Sequence, residues 1–260
     1  MCLIAFAWRA HPRYPLLLVG NRDEFHARPT ASLDWWSDAP DIAGGRDLAA
    51  GGTWLAISRN GRFGALTNFR DPAAARPQGP SRGELVPAFL RGDQAPIDAA
   101  REAAARGGLY SGFNLLLCDG RTMAYASNCP EAHASELAPG VYGLSNHRLD
   151  TPWPKLDLAR TTLAQLLAAH HPDADGIFEV VSDRAQAPDH VLPDTGVGLA
   201  LEQLLSAQFI VSPAYGTRSS TLLMLRDDGE VVLSERSYGP AGTETGRREL
   251  RFSVAVAADP

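Results

Sequence analysis

The second residue of this chain is a cysteine, and at this position a single residue could present both a nucleophile and a base. Removal of Met1, which a small second residue permits, would leave Cys2 with a thiol and a free α-amine. An α-amine has a pKa of roughly 7.7–8.0, so part of it is neutral near pH 7 and can take the thiol proton without a histidine. Cys2 is therefore a candidate N-terminal nucleophile. The alternative is a small buried hydrophobe at an ordinary chain end.

A dense polar segment follows the second apolar run of the chain. Residues 20–25 are Gly-Asn-Arg-Asp-Glu-Phe, directly after Leu-Leu-Leu-Val at 16–19. If 3–8 and 15–20 form an antiparallel strand pair, this segment returns beside Cys2. Its carboxylates could then hold the α-amine, and its guanidinium could favour the thiolate, which is the reactive form of cysteine. An exposed turn closed by its own salt bridge is the alternative.

The elements that must position these groups are predicted from periodicity and turn signals. Strands are predicted over 3–8, 15–20, 53–58, 63–68, 113–118, 121–126, 140–146, 207–212, 218–226, 230–237 and 248–256. Helices are predicted over 82–91, 96–106, 156–170 and 173–184, the first with Ser81 and Glu84 as a capping box. The pair Asn60-Gly61 predicts a hairpin turn.

This order of elements bears on the architecture. Strand hairpins at both ends with helices between them favour two antiparallel sheets packed face to face and covered by helices. A simpler two-layer α+β domain fits the same order nearly as well.

Several separated motifs carry a resemblance to a known family. They are Met1-Cys2-Leu3-Ile4, Asn21-Arg22-Asp23-Glu24-Phe25 followed by Arg28-Pro29, Gly51-Gly52-Thr53-Trp54, Ala65-Leu66-Thr67-Asn68-Phe69-Arg70, and Leu144-Ser145-Asn146. Together they resemble the NRDE family, also called the transport and Golgi organisation family, from residue 1 to about residue 226. That family is similar to N-terminal nucleophile hydrolases such as choloylglycine hydrolases and penicillin V acylases. The resemblance implies an α+β fold, a four-layer α/β/β/α sandwich, as a single domain over residues 1–260.

The resemblance also implies roles for residues near the chain start. Cys2 takes the place of the nucleophile. Asp23 is similar in position to the aspartate that hydrogen-bonds the α-amine, and Arg22 to the neighbouring arginine, with a spacing that differs by a residue or two.

Three later residues receive roles in the same way. Asn68 resembles the asparagine that supplies an oxyanion-hole N–H, Asn146 the asparagine that positions nucleophile and substrate, and Arg218 the late arginine that hydrogen-bonds the thiol region. The alternatives are an Asx turn for Asn68, a strand-end cap for Asn146 and a surface ion pair for Arg218.

These residues predict hydrolysis of a non-peptide amide or thioester through an acyl-cysteine, with no cofactor and with a small acyl compound as substrate. The alternative function comes from another class. Members of the family have been linked to haem trafficking and to acyl-CoA and lipid metabolism, so the same pocket could carry haem or a lipid ligand without cleaving it. Cys2, His26 or His147 could then contact the haem iron, reversibly, since there is no Cys-x-x-Cys-His motif. A scaffolding role is a third option, but no low-complexity or coiled-coil segment supports it.

Composition excludes several other classes. The chain has 260 residues, 45% of them hydrophobic, and a formal charge of −6, which fits a globular chain and argues against a nucleic-acid partner. No stretch approaches the roughly 20 apolar residues of a membrane span, and no basic segment precedes the first apolar run as in a secretory signal. A cytoplasmic protein is expected, and a homo-oligomer is left open.

The remaining reactive and aromatic residues do not point to a metal. The three cysteines, Cys2, Cys118 and Cys129, predict neither a disulfide framework nor a zinc site. His170 and His171 are interpreted as a solvated helix end, because adjacent helical residues do not share a face. A last group could line an acyl pocket or belong to the core: Trp35, Trp36, Trp54, Phe63 and Phe69.

Overall fold

The computed structural model describes residues 2–74, 77–169 and 173–255. The strands are β1 (Cys2–Trp8), β2 (Leu16–Phe25), β3 (Thr30–Trp36), β4 (Ala39–Asp47), β5 (Leu55–Ser58), β6 (Phe63–Asn68), β7 (Phe113–Cys118), β8 (Met123–Ser127), β9 (His133–Glu136), β10 (Gly140–Leu144), β11 (Tyr215–Leu225), β12 (Glu230–Tyr238) and β13 (Glu244–Ser253). The α-helices are α1 (Leu85–Arg91), α2 (Pro96–Ala105), α3 (Pro154–Ala168), α4 (Ala174–Glu179) and α5 (Leu199–Ser206).

The strands form two sheets whose pairs are all antiparallel. The first sheet has the order β10-β1-β2-β11-β12-β13 and the second β3-β4-β5-β6-β7-β8-β9. Apolar side chains from both sheets fill the space between them, among them Phe6, Leu18, Phe63 and Leu116. Helices α1 and α2 pack on the outer face of the second sheet, and α3 and α4 on that of the first. The predicted α/β/β/α sandwich is confirmed, and the two-layer alternative is wrong.

The central position of β1 explains its sequence. Alternate residues of a strand point to opposite faces. Leu3 and Ala5 face α3 and its neighbours, whereas Ile4 and Phe6 enter the layer between the sheets. Both faces are therefore covered, which is why the run is apolar throughout and why the strand is held in register from Cys2 onward.

Some predicted elements differ from those observed. The segment 207–212 is not a strand, although Phe209 and Ile210 are buried. The Ile210 N–H donates to the side-chain hydroxyl of Thr217, and the Phe209 N–H donates to the carbonyl of Asp183, so the backbone does not form a regular strand ladder. Helix 173–184 is only Ala174–Glu179. Strands β3 and β4 are absent from the predicted elements, because Gly, Asp and Pro in 28–52 mask a bulged strand pair. Strand β9 and helix α5 are absent from them as well.

The predicted capping box forms only in part. The Ser81 hydroxyl accepts from Gly83 N at the start of a 3-10 turn, Arg82–Glu84, that precedes α1. The Glu84 carboxylate instead accepts from the Tyr110 hydroxyl at 2.8 Å. The predicted helix end at His170 and His171 lies outside the described residues. Among the residues described, no helix is long and apolar enough to cross a membrane.

Candidate active site

The pairing of β1 with β2 sets the centre of the site. Cys2 lies directly opposite Arg22 in this antiparallel pair. Opposed residues point to the same face, so both side chains turn toward the second sheet, where the Arg22 guanidinium stacks 4.3 Å from the centroid of the Trp54 ring. Asp23, the next residue, points to the opposite face and accepts a hydrogen bond from the Thr217 hydroxyl at 2.7 Å.

A cavity of about 150 Å³ opens beside Cys2, at the end of the sheets where β1 begins. The side chain of Cys2 is almost covered, with 8% of its surface exposed. The lining residues are Cys2, Arg22, Asp23, Glu24, Arg28, Asp47, Thr53, Trp54, Leu66, Asn68, Ser81, Arg82 and Gly83. The wall is thus mostly polar, with Trp54 and Leu66 as its larger apolar surfaces.

The thiol of Cys2 is subject to opposing influences. Burial raises its pKa above the ordinary value, and the Asp23 carboxylate raises it further. The Arg22 guanidinium and a hydrogen bond from the Asp23 backbone N–H lower it. A thiolate at this position therefore depends on the charges around it, and Arg22 is one that favours it.

Asp23 is enclosed more completely than Cys2, with 1% of its surface exposed. Burial raises the pKa of its carboxyl, while Lys155, the Thr217 hydroxyl and Arg22 lower it. The Tyr215 hydroxyl donates to the Asp23 backbone carbonyl at 3.1 Å. The Thr217 hydroxyl thus fixes one oxygen of the carboxyl group, and the Tyr215 hydroxyl fixes the backbone beside it.

Asn68 and Asn146 are brought together, but only Asn68 lines the cavity. Asn68 ends β6 there. Asn146 is fully buried, and its Nδ2 donates to the backbone carbonyl of Asn68 at 3.0 Å. The preceding Ser145 donates through its hydroxyl to the Cys2 carbonyl at 3.0 Å. The segment after β10 therefore fixes both Cys2 and Asn68.

Arg218 lies on β11, and its contacts are with the turn that follows β2. It lies at the irregularity in the pairing of β11 with β2. Its Nη1 donates to the backbone carbonyls of Phe25, His26 and Arg28 at 2.9, 3.1 and 3.3 Å. Among the described residues that line the cavity, Arg218 does not appear. It ties down the turn after β2, and its contact with the thiol region stays a prediction.

Some residues of the site were missed in the sequence. Arg28 forms an ion pair with Asp47 at 2.7 Å across the cavity wall, a pairing that no sequence signal indicated because β4 was not predicted.

The histidines proposed as haem contacts have other partners. His26 Nε2 is 3.1 Å from the carbonyl of Ser212, and His147 Nδ1 is 2.9 Å from the Thr151 hydroxyl. Neither is among the described residues lining the cavity. Across 2–74, 77–169 and 173–255, no group of three His, Cys, Asp or Glu side chains could hold a metal ion.

The aromatic residues divide between the site and the core. Trp54 lines the cavity. Trp36 and Phe63 are core residues, Trp35 packs against the layer between the sheets, and the Phe69 ring lies 4.8 Å from that of His147.

The fold and site define a class: an α/β/β/α sandwich with a cysteine at the start of a central strand, beside a polar cavity. Residues 1–240 match the family described as Transport and Golgi organisation 2. The chain is 36% identical to the Transport and Golgi organization protein 2 homolog of Bos taurus, over 97% of this chain and 99% of that protein. It is also 36% identical to the human homolog, over 91% and 93%. The chain belongs to the Transport and Golgi organisation 2 family, which confirms the transport and Golgi organisation resemblance.

Solved structures give weaker similarities of fold. The Caenorhabditis elegans N-acylethanolamine-hydrolyzing acid amidase ortholog has a TM-score of 0.47 and 14% identity, over 85% of this chain and 92% of that one. A mutant conjugated bile acid hydrolase from Clostridium perfringens has a TM-score of 0.45 and 9% identity, over 98% of each chain.

Proposed function

We propose that this protein is an N-terminal cysteine hydrolase that cleaves a non-peptide amide or thioester through an acyl-cysteine. The observation that carries the proposal is the placement of Cys2 opposite Arg22, beside a polar cavity that Asn68 also lines. A nucleophile, a cation that favours its thiolate and an amide side chain capable of binding an oxyanion thus share one small space. Asp23 lies next to Arg22 on β2, on the other face.

The proposed reaction begins with removal of Met1. The α-amine of Cys2 takes the thiol proton, and the sulfur attacks the substrate carbonyl carbon. The side-chain N–H of Asn68 binds the resulting oxyanion. The C–N or C–S bond then breaks, the leaving group takes the proton from the amine, and an acyl-cysteine thioester remains. Water, deprotonated by the same amine, releases the acid and restores the thiol.

The size of the cavity limits what it encloses. Pockets that surround a drug-sized ligand measure about 300–1,000 Å³, whereas this cavity measures about 150 Å³. It would therefore accommodate the reacting end of a substrate, with the remainder outside. Haem carriage, the alternative function, has less support, because neither His26 nor His147 is among the described residues that line this space.

The proposal is tested first by intact mass and peptide mapping of protein from its native host after brief treatment with a limiting thiol alkylator. We expect Met1 to be absent and Cys2 to react faster than Cys118, whose burial raises its pKa to about 12. A screen of amides and thioesters follows, with Cys2→Ala and the matched variant Cys118→Ala. We expect only Cys2→Ala to abolish turnover.

Two outcomes would contradict the proposal. Retention of Met1 in protein from the native host would leave the α-amine of Cys2 blocked. Full turnover by Cys2→Ala would show that the thiol takes no part. A haemin absorbance band lost in Cys2→Ala, without turnover of any acyl substrate, would support the carrier function instead.

A further inference from the structure

Helix α5 buries its acid and exposes two of its leucines. Glu202 has 3% of its surface exposed, whereas Leu199 and Leu201 in the same helix are 57% and 41% exposed. The hydrophobic effect favours the opposite arrangement, and burial of a charge is costly unless the charge is paired and hydrogen-bonded. Specific contacts must therefore hold Glu202 inside.

The contacts of Glu202 use both of its carboxylate oxygens. Oε2 accepts from Arg70 Nη1 at 2.7 Å, in an ion pair whose two side chains are both buried. Oε1 accepts from the N–H and the hydroxyl of Thr195 at 2.7 and 2.6 Å. The Arg70 guanidinium also lies 4.8 Å from the centroid of the Trp153 ring. Arg70 is thus fixed by a helix that follows it by 132 residues in the chain.

Arg70 lies two residues after Asn68, which brings its side chain to the cavity at the end of β6. The Arg70 N–H donates to the Asn146 carbonyl at 2.7 Å, and the Asn146 side chain donates to the Asn68 carbonyl at 3.0 Å. Between them, the Phe69 N–H donates to the Gly112 carbonyl at 2.9 Å. Asn146 therefore clamps this short segment at both ends, and the Arg70 guanidinium attaches it to α5.

An enclosed ion pair is a weak source of stability. The cost of taking two charges out of water offsets most of their attraction, so apolar side chains of similar size often replace such a pair without loss. Apolar side chains do not reproduce the direction of the contact. The link between Arg70 and Glu202 fixes where the segment after β6 lies relative to α5.

We propose that Glu202 is a positioning residue, which holds the Asn68 side chain in the cavity by way of Arg70. An oxyanion donor must lie at hydrogen-bond distance from the charge that develops, and a misplacement of about 1 Å can cost about 10²-fold in rate. The use of Asn68 as this donor rests on the proposed function. The placement of the Asn68 side chain by the ion pair does not.

The position of Asn68 can be observed without a substrate. The chain has six asparagines, so a ¹⁵N label on asparagine side chains gives six amide signals by NMR, and the signal lost in Asn68→Ala is that of Asn68. We expect this signal to shift in Glu202→Leu, which removes the acceptor of the Arg70 guanidinium. Leu205→Ala is the matched control, since Leu205 is buried in the same helix and packs with Ala207 and Ile210. An Asn68 signal that stays in place in Glu202→Leu, or that moves equally in Leu205→Ala, would overturn the proposal.

Two reagents for Cys2 separate positioning from stability. With 4-nitrophenyl acetate, the thiolate attacks the ester carbonyl, an oxyanion forms, the C–O bond to 4-nitrophenolate breaks, and acetyl-cysteine remains. With iodoacetamide, the sulfur displaces iodide and no oxyanion forms. We expect Glu202→Leu to slow the first release of 4-nitrophenolate about ten-fold, less than the 10²- to 10³-fold cost of losing the donor, with alkylation unchanged. Cys2→Ala is the blank.

A double variant covers the case in which Glu202→Leu does not fold. Arg70→Met combined with Glu202→Leu leaves no unpaired charge of this pair inside, so stability in urea should return toward that of the wild type. Acetylation relative to alkylation should stay about ten-fold low, because no ion pair then directs the segment. Recovery of both stability and acetylation in the double variant would make the pair merely structural and overturn the proposal.

The two proposals fail separately. A shifted Asn68 signal in Glu202→Leu, with no acetylation of Cys2 in the wild type, would overturn the hydrolase alone. Acetylation of wild-type Cys2, with an unmoved Asn68 signal in Glu202→Leu, would overturn only the role of Glu202.

Discussion

Cys2 and Arg22 face each other across the first strand pair, and both side chains point into the space between the two sheets. The distance between the Cys2 thiol and the Arg22 guanidinium is therefore set by strand register, which a loop would hold less firmly. The Arg22 guanidinium is itself fixed, because it donates to the Thr30 hydroxyl at 3.1 Å and stacks on Trp54. The site has the rigidity of the sheet that carries it.

Replacement of Arg22 by methionine should slow alkylation of Cys2 near neutral pH. Arg22 lowers the pKa of the thiol, so its loss moves that pKa upward, and each unit means about ten-fold less thiolate below the pKa. The pH dependence of Cys2 labelling, followed by peptide mapping, measures the shift. Arg28→Met serves as the control, since Arg28 lines the same cavity but pairs with Asp47. Equal labelling profiles for wild type and Arg22→Met would refute this role.

Several strands of the two sheets could be predicted from the sequence, but the pair β3 and β4, which completes the site, could not. The buried runs of β1 and β7 and the Asn60-Gly61 turn each bear a strong local signal, and all three are observed. Strands β3 and β4 have no such signal, because register shifts interrupt their pairing and their polar residues face the cavity or solvent.

The sequence predicts the part of the site whose reactive residues lie on strands that are neighbours both in the chain and in the sheet. Cys2 and Arg22 follow from pairing two adjacent apolar runs. The contact between Asn146 and the Asn68 carbonyl joins residues 78 apart, and the ion pair between Arg70 and Glu202 joins residues 132 apart. Such contacts depend on how whole layers pack, which local periodicity does not encode.

Asn68→Ala should lower turnover of an acyl substrate about 10²- to 10³-fold, the usual cost of losing one oxyanion donor. The fold should persist, because the contact that Asn146 makes here is with the Asn68 backbone carbonyl, which alanine retains. Steady-state kinetics should show a fall in kcat with unchanged Cys2 alkylation. If kcat stays within a factor of a few of the wild type, Asn68 does not meet the oxyanion.

Asn146→Ala should reduce stability and turnover together. The substitution removes a fully buried amide and leaves the Asn68 carbonyl without that donor, which typically costs about 1–3 kcal/mol. Urea unfolding followed by tryptophan fluorescence measures the free energy. Unchanged stability with abolished turnover would mean that Asn146 acts on the substrate itself and does not merely support Asn68.

Glu235 should make the protein less stable as pH rises from about 5 to about 7. This glutamate on β12 is buried, its Oε1 accepts from the Leu33 N–H at 2.9 Å across the sheets, and burial raises its pKa to about 7. The ordinary value is 4.5. Between these two values the folded protein binds more protons than the unfolded chain, so the free energy of unfolding falls with rising pH.

Glu235→Gln should remove this pH dependence, because glutamine keeps the acceptor oxygen and carries no charge. Above pH 7 the variant should exceed the wild type by up to on the order of 3 kcal/mol, the energy equivalent of the pKa difference. Urea unfolding of both proteins at pH 5 and pH 8 measures it, with the exposed Glu131→Gln as the control. If wild type and Glu235→Gln lose equal stability between these pH values, Glu235 is ionised at little cost in the folded protein, and its carboxylate is better solvated or paired than its burial between the sheets implies.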